Sequence, residues 1–416
     1  MSAAQVNRAE RRPALPRLGL ARLGLARLGG HGQASAALVF LVALNLRPAL
    51  TGVGPLLPEL GTGAGLGEGA QGLLGALPLL AFGLVSPLVH RLSRRLGMER
   101  AVLAALLALV VGVVVRSYTG LPGLWLGTVL AGCAVAVGNV LVPTIVKRDY
   151  AGHISAATGA YSACITVGAS AASALAVPMS SATGWRAALA WWAVPALSVA
   201  VVWSWRALAA RPPAHPSPLH DRAPSMVWRE PTAWLLTAFM GLQSTTFYVM
   251  VTWLPTIEAS AGTGARQAGL GLFAYQLVGA ASGLAVTRLM RRPEDLVVAT
   301  VAASVPMLAG VLGLLVAPAL SLVWAVVAGL GSGASLVVAL SMVNIHGRTH
   351  QETAQLSGMA QSLGYLLAAT GPVVAGYLAQ QTGSWAPALM FMAGLAAAQL
   401  LVAFPAGRAR GLQGAS

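Results

Sequence analysis

Arg47 lies inside an apolar stretch long enough to cross a bilayer, VALNLRPALTGVGPLLPEL (residues 42–60), and is followed at once by Pro48. An arginine at the centre of a membrane helix costs about 2.5–3.5 kcal/mol on insertion scales. Proline removes a backbone donor and kinks the helix. The chemistry open to Arg47 is electrostatic: a permanently charged, planar fork grips an anionic or strongly polar group where water is scarce. The competing, structural role is satisfaction by carbonyls that Pro48 frees and by amides on neighbouring helices. No aspartate or glutamate falls well inside an apolar run, because Glu59 and Glu258 sit at run ends where interfacial water is expected to reach them. A substrate is then the natural counter-charge.

Other polar side chains are candidates for the same cavity. Asn45 is about 200° around the helix from Arg47, whereas Thr51, four residues on, shares its face. Asn139 precedes Pro143, and Tyr161 stands in a small-residue stretch. The second half of the chain supplies Gln243, Tyr248 and Gln276, then Gln361 and Tyr365, which share one face at i and i+4. The expected substrate-binding set is therefore Arg47, Asn45, Thr51, Asn139, Tyr161, Gln243, Tyr248, Gln276, Gln361 and Tyr365. Each neutral member competes with a plainer role, an interhelical hydrogen bond worth about 0.6 kcal/mol. No HExxH, paired aspartates or GxxxxGK[ST] is present, so no catalytic residue, metal or cofactor is expected and an enzyme is disfavoured. Cys133 and Cys164 have no metal-ligand spacing and read as packing residues. His90, His153 and His346 lie near run ends and read as interfacial. A proton travelling with the solute is a further expected partner, and the solute anion could itself be the titrating group.

These residues need a scaffold. Of 416 residues, 56% are hydrophobic and only 9% charged, with a mean hydropathy of +0.73; a soluble chain runs near 25% charged. The net charge of +15 is scattered between apolar segments and forms no basic face, which speaks against nucleic acid and leaves the lipid bilayer as the partner. Twelve apolar runs lie near 35–59, 69–90, 100–118, 121–146, 153–178, 185–207, 232–256, 265–288, 296–317, 319–343, 353–378 and 385–405. The longest polar break, 206–231, is rich in proline and charge. The expected organisation is a basic tail over 1–34, a six-helix bundle over 35–207, a linker over 208–231, a second bundle over 232–405 and a tail over 406–416. Arg17, Arg22 and Arg27 do not share a helical face, so the first tail is a poor amphipathic anchor; it also lacks the apolar core of a signal peptide.

Positive charge sets the orientation. With the N-terminus cytoplasmic, twenty-two of the twenty-six basic residues fall on that side, and Arg116, Arg186 and Arg266 fall outside; Arg47 is the exception, inside the membrane. This places both termini in the cytoplasm. The halves also echo each other: TGAYS…ATGWRAAL (158–189) matches SGMAQ…QTGSWAPAL (357–389) at an offset of 199 or 200 residues, and the first run aligns Asn45 with Gln243. Parallel six-helix repeats are the arrangement of major facilitator transporters.

Four blocks in order, NLRPALTGVGPLLPEL, GNVLVPTIVKRDY, GLQSTTFYVMVTWLP and LSGMAQSLGYLLAATGP, resemble the cyanate-permease and 2-nitroimidazole-transporter family of the major facilitator superfamily. The resemblance runs from the first run to the twelfth. It implies an all-α fold of twelve membrane helices in two pseudo-symmetric bundles, in the cytoplasmic membrane of a bacterium, with a single chain sufficing. It further implies an alternating-access carrier of a small anionic or polar solute, cyanate- or nitrate-like in size, with efflux of a drug or nitroimidazole-like compound as the alternative. The loop LSRRLGMERAV (92–102) corresponds to the superfamily's gating signature: Arg95 and Gly97 fit, but Arg94 stands where an aspartate is usual.

Overall fold

A backbone within lipid must satisfy its own polar groups, which an apolar run does by becoming helical. The computed structural model describes residues 30–151, 153–210, 226–290, 295–347 and 350–409; the tail up to residue 29, linker residues 211–225 and residues 410–416 lie outside them. Among the described residues every regular element is an α-helix or a short 3-10 turn. The first span is broken into α1 (Gly30–Asn45), α2 (Pro48–Thr51), a 3-10 turn (Gly54–Leu56) and α3 (Leu57–Ala64). Then come α4 (Glu68–Leu96), α5 (Met98–Tyr118), α6 (Gly120–Asp149) and α7 (Ile154–Thr183), with α8 (Trp185–Ala190) and α9 (Ala193–Ala209) forming the sixth span. The second set is α10 (Pro231–Ser260), α11 (Ala265–Val286), α12 (Asp295–Val316), α13 (Ser321–His346), α14 (His350–Thr382) and α15 (Ala386–Arg408). Among the described residues, twelve spans are long and apolar enough to cross a membrane.

The first span, expected as a helix near 35–59 kinked at Pro48, is interrupted further along as well. Pro48, Pro55 and Pro58 each lack a donor, and Gly52 and Gly54 lie between the first two, so the ladder fails repeatedly within one span. Pro143, Pro255 and Pro372 lie inside helices that continue past them.

Glycines set the helix spacing. A Cβ on Gly333 of α13 would overlap the Gly279 carbonyl of α11, and one on Gly127 of α6 would overlap the Arg116 backbone of α5. Small residues thus let backbones meet where lipid supplies no hydrophobic drive. Gly333→Val is expected to destabilise the folded chain by about 1–3 kcal/mol or more, seen as a lowered melting temperature in detergent.

The halves meet along α4 with α14 and α7 with α11. At the end away from Gly30 and Ala409 the meeting is tight. The Gly69 N–H donates to Gln380 Oε1 at 2.9 Å, and Gly72, Gly376 and Gly54 lie against the Pro372, Glu68 and Val251 carbonyls so closely that a Cβ would overlap each. At the opposite end the halves part around a vestibule of about 560 Å³, bounded by Ser86, Pro87, Trp228, Gln355, Gln361 and Tyr365.

That same end carries an ionic cluster. Arg148 pairs with Glu99 at 2.6 Å and Asp149 at 2.9 Å, and Arg206 pairs with Asp149 at 2.5 Å. Arg206 also stacks on Trp203, 4.8 Å from the ring. The loop's ionic group is thus Glu99, two residues past Gly97, while Arg94 and Arg95 are exposed. Gly97 itself turns the chain from α4 to α5 at φ +83°, open in practice to glycine. Replacing Arg206 by Leu leaves two largely buried carboxylates with Arg148 alone. The expected cost is about 2 kcal/mol, below the ~3–5 of a fully buried pair because one cation remains, read as a fall in melting temperature that Asp149→Asn in the same chain reduces.

Candidate functional site

The site grows from the breaks in the first span. Pro48 deprives the Leu44 carbonyl of its helical donor, and Gly168 of α7 packs directly on that oxygen. Val53 donates to Leu50 and not to Ala49, so the Ala49 carbonyl is also released. Pro55 likewise releases Thr51, whose carbonyl takes the Ser173 hydroxyl at 3.4 Å. Arg47 stands at the N-cap of α2, its own carbonyl accepting from Leu50 and Thr51.

The Arg47 guanidinium uses none of the freed carbonyls. Its Nη1 donates to the Tyr248 hydroxyl of α10 at 3.1 Å, across the two halves, and its Cζ lies 5.8 Å from that ring's centre. Its Nε is buried without a partner. Tyr161 and Tyr365 lie near it. Arg148 and Arg206 pair with Glu99 and Asp149, whereas no carboxylate among the described residues pairs with Arg47.

Tyr248 and Tyr365 sit ring to ring at 6.3 Å, and Tyr365 packs on Phe82 at 5.6 Å. This aromatic layer has the vestibule on one side and a cavity of about 40 Å³ on the other, the latter lined by Arg47, Thr51, Arg116, Thr128, Tyr248 and Thr252 among others. The smaller space is roomy enough for a water or a small ion. Arg47 therefore lines a small cavity behind Tyr248, and the open vestibule begins beyond Tyr365.

The remaining candidates divide. Gln361 and Tyr365 line the vestibule, with Gln361 donating to Ser357 Oγ at 2.7 Å. Thr51 borders the small cavity but spends its hydroxyl on the Arg47 and Ala169 carbonyls, at 3.2 and 3.0 Å. Asn45 turns back to the Leu41 carbonyl at 2.9 Å. Gln243 is buried on Met240 Sδ and Ser244 Oγ, at 3.4 and 2.7 Å. Gln276 donates to Ser173 Oγ at 2.7 Å, a bridge between the halves. Asn139 and Tyr161 are half-buried and line neither cavity.

Three placements correct the sequence reading. Arg116, assigned to the outer surface, is 1% exposed, and its Nη1 donates to the freed Ala49 carbonyl at 2.6 Å. A helical side chain leans toward its helix's N-terminus, so an arginine near the end of α5 points back into the membrane. Glu258, expected at interfacial water, is 2% exposed against Gly271, with Oε2 unpartnered. α10 continues past it to Ser260, and the missing side chain at Gly271 makes the space. His346, read as interfacial, is buried, its ring nitrogens 2.8 and 2.9 Å from the Met342 and Ala409 carbonyls, because Ala409, the residue after α15, reaches the end of α13. His90 and His153 are exposed.

The family model of the Major Facilitator Superfamily matches residues 38–372. The chain belongs to the major facilitator superfamily. It is 37% identical to the 2-nitroimidazole transporter of Escherichia coli (strain K12) over 89% of this chain and 94% of that one. It is 29% identical to the cyanate transport protein of the same organism, over 84% and 90%. In fold it is similar to a bacterial homolog of the human lysosomal transporter Spinster, solved in an inward-facing, unoccupied conformation. That likeness has a TM-score of 0.74 at 14% identity and covers 91% of this chain and 97% of that one. The chain is thus a multi-pass membrane protein of a superfamily of transporters, not enzymes. Among this superfamily member's described residues, the feature sequence reasoning missed is the second buried arginine. Its signal was an arginine within the last turn of an apolar run, with Gly127 opposite leaving room for α5 and α6 to close over it.

Proposed function

We propose that the chain is a secondary carrier that moves a small anionic or polar solute, cyanate- or nitrate-like in size, across a bacterial cytoplasmic membrane. The halves 35–207 and 232–405, joined by 208–231, rock about Arg47 in alternating access, with both tails in the cytoplasm and one chain as the working unit. One observation carries this reading: Arg47 is a buried cation with an unpartnered Nε at the junction of the halves and no carboxylate beside it. The basic residues crowd the end where the vestibule opens, so the conformation described is open to the cytoplasm. A proton accompanying the anion would ride on the solute.

The alternative, export of a nitroimidazole-like compound, draws on the aromatic layer of Phe82, Phe247, Tyr248 and Tyr365 and on the relative that carries 2-nitroimidazole. Proteoliposomes holding the purified chain discriminate the two. Exchange of radiolabelled cyanate that 2-nitroimidazole does not inhibit supports the first reading. Exchange of 2-nitroimidazole alone, undiminished in Arg47→Ala, would replace it with the second.

A further inference from the structure

Two arginines line the 40 Å³ cavity, and only one belongs to the reading above. Arg116 spends Nη1 on Ala49, but its Nε and Nη2 are buried with no partner. Those two nitrogens share one edge of the guanidinium, the edge that meets two acceptor atoms of one oxyanion side by side. The hydroxyls of Thr51 and Thr128 on the cavity wall donate to main-chain carbonyls, which leaves the two arginines as the charged donors around the space, beside the Thr252 and Tyr248 hydroxyls. No carboxylate lines it. A permanently charged group left in this state at the core of a membrane protein implies a counter-ion that comes and goes.

We propose that Arg116 is a second anion-binding residue, so that a small monovalent anion is held between the Arg116 and Arg47 guanidiniums. This rests on the proposed function and deepens it by naming the solute's class: a linear or planar anion of few heavy atoms with adjacent acceptors. Arg116 lies on the closed side of Arg47, toward the end where Gly72 and Pro372 meet. It is the charge an anion meets when that end opens, and Arg47 is the charge it meets from the vestibule.

The test uses the full chain in detergent, with cyanate and nitrate titrated separately at constant ionic strength and binding read from the anion-dependent rise in melting temperature. Wild type is expected to bind at least one of the two. Arg116→Gln is expected to raise that dissociation constant roughly ten- to a hundredfold, the factor for a lost charge-assisted hydrogen bond, and Arg116→Lys to recover part of it. A purely structural Arg116 would instead lower the anion-free melting temperature and leave the dissociation constant of the folded fraction unchanged, which overturns the proposal. Should Arg116→Gln fail to fold, bromide soaked into crystals of wild type decides: an anomalous peak touching both guanidiniums supports the pair, and a peak at Arg47 alone refutes it. Binding lost in Arg47→Gln and kept in Arg116→Gln removes only this inference. A wild type that binds neither anion removes the anionic reading of function with it.

Discussion

Arg47→Ala is expected to lower cyanate uptake into proteoliposomes at least about 100-fold, with the purified variant still folded. The loss follows from the bonds at stake. Charge-assisted hydrogen bonds contribute about 1.5–3 kcal/mol each, and a guanidinium with Nε free offers a solute at least one and, when Tyr248 yields, two. Two such bonds correspond to roughly two to four powers of ten in affinity. Arg47→Lys retains the charge without the planar fork and should restore only part of the activity. Tyr248→Phe removes the phenol that holds Nη1 in place. A neutral partner contributes about 0.5–1.5 kcal/mol, so its loss is expected to cost no more than about tenfold. Equal losses in Tyr248→Phe and Arg47→Ala would mean that the inter-half bond matters and the charge does not.

Gly72→Val is the second large effect. The backbone of α4 meets the Pro372 carbonyl of α14 at Gly72, with no room for a Cβ. Overpacking costs about 1–3 kcal/mol, and here the penalty falls on the one state in which this end is shut. The equilibrium between conformations should then shift about 5- to 150-fold toward the state open at that end. Uptake should fall accordingly, and a cysteine placed at Thr252, in a Cys133→Ala, Cys164→Ala background, should be labelled faster by an impermeant maleimide added at that face. Gly376→Val, which meets the Glu68 carbonyl from α14, should do the same. Wild-type labelling and uptake in both variants would show that this seam does not open during transport.

The helices were legible because membrane spans are written in composition: an apolar run of some twenty residues has few alternatives to helix. The break in the first span was only half legible. Pro48 and Pro55 announced missing donors, but which freed carbonyl would find which partner depends on α5 and α7, and no local pattern encodes that. Arg47 was conspicuous because its charge violates its surroundings. Arg116 violates them as strongly, yet its place near the end of α5 made it read as surface, since depth along a helix was counted and the backward lean of the side chain was not. Asn45 and Gln243 were marked for their polarity; the structure spends both on their own helices, which sequence cannot distinguish from a cavity-facing amide. The Glu99–Arg148–Asp149–Arg206 cluster joins residues more than a hundred positions apart, so only the fold brings it together.

The central claim is that Arg47 holds the solute. A cryo-electron microscopy structure of the full chain with its transported solute bound tests it directly. The account predicts the solute's acceptor atoms about 2.7–3.2 Å from Arg47 nitrogens, with Nε now partnered. A solute seated in the vestibule against Gln361 and Tyr365, with Arg47 Nε still bare, would contradict it.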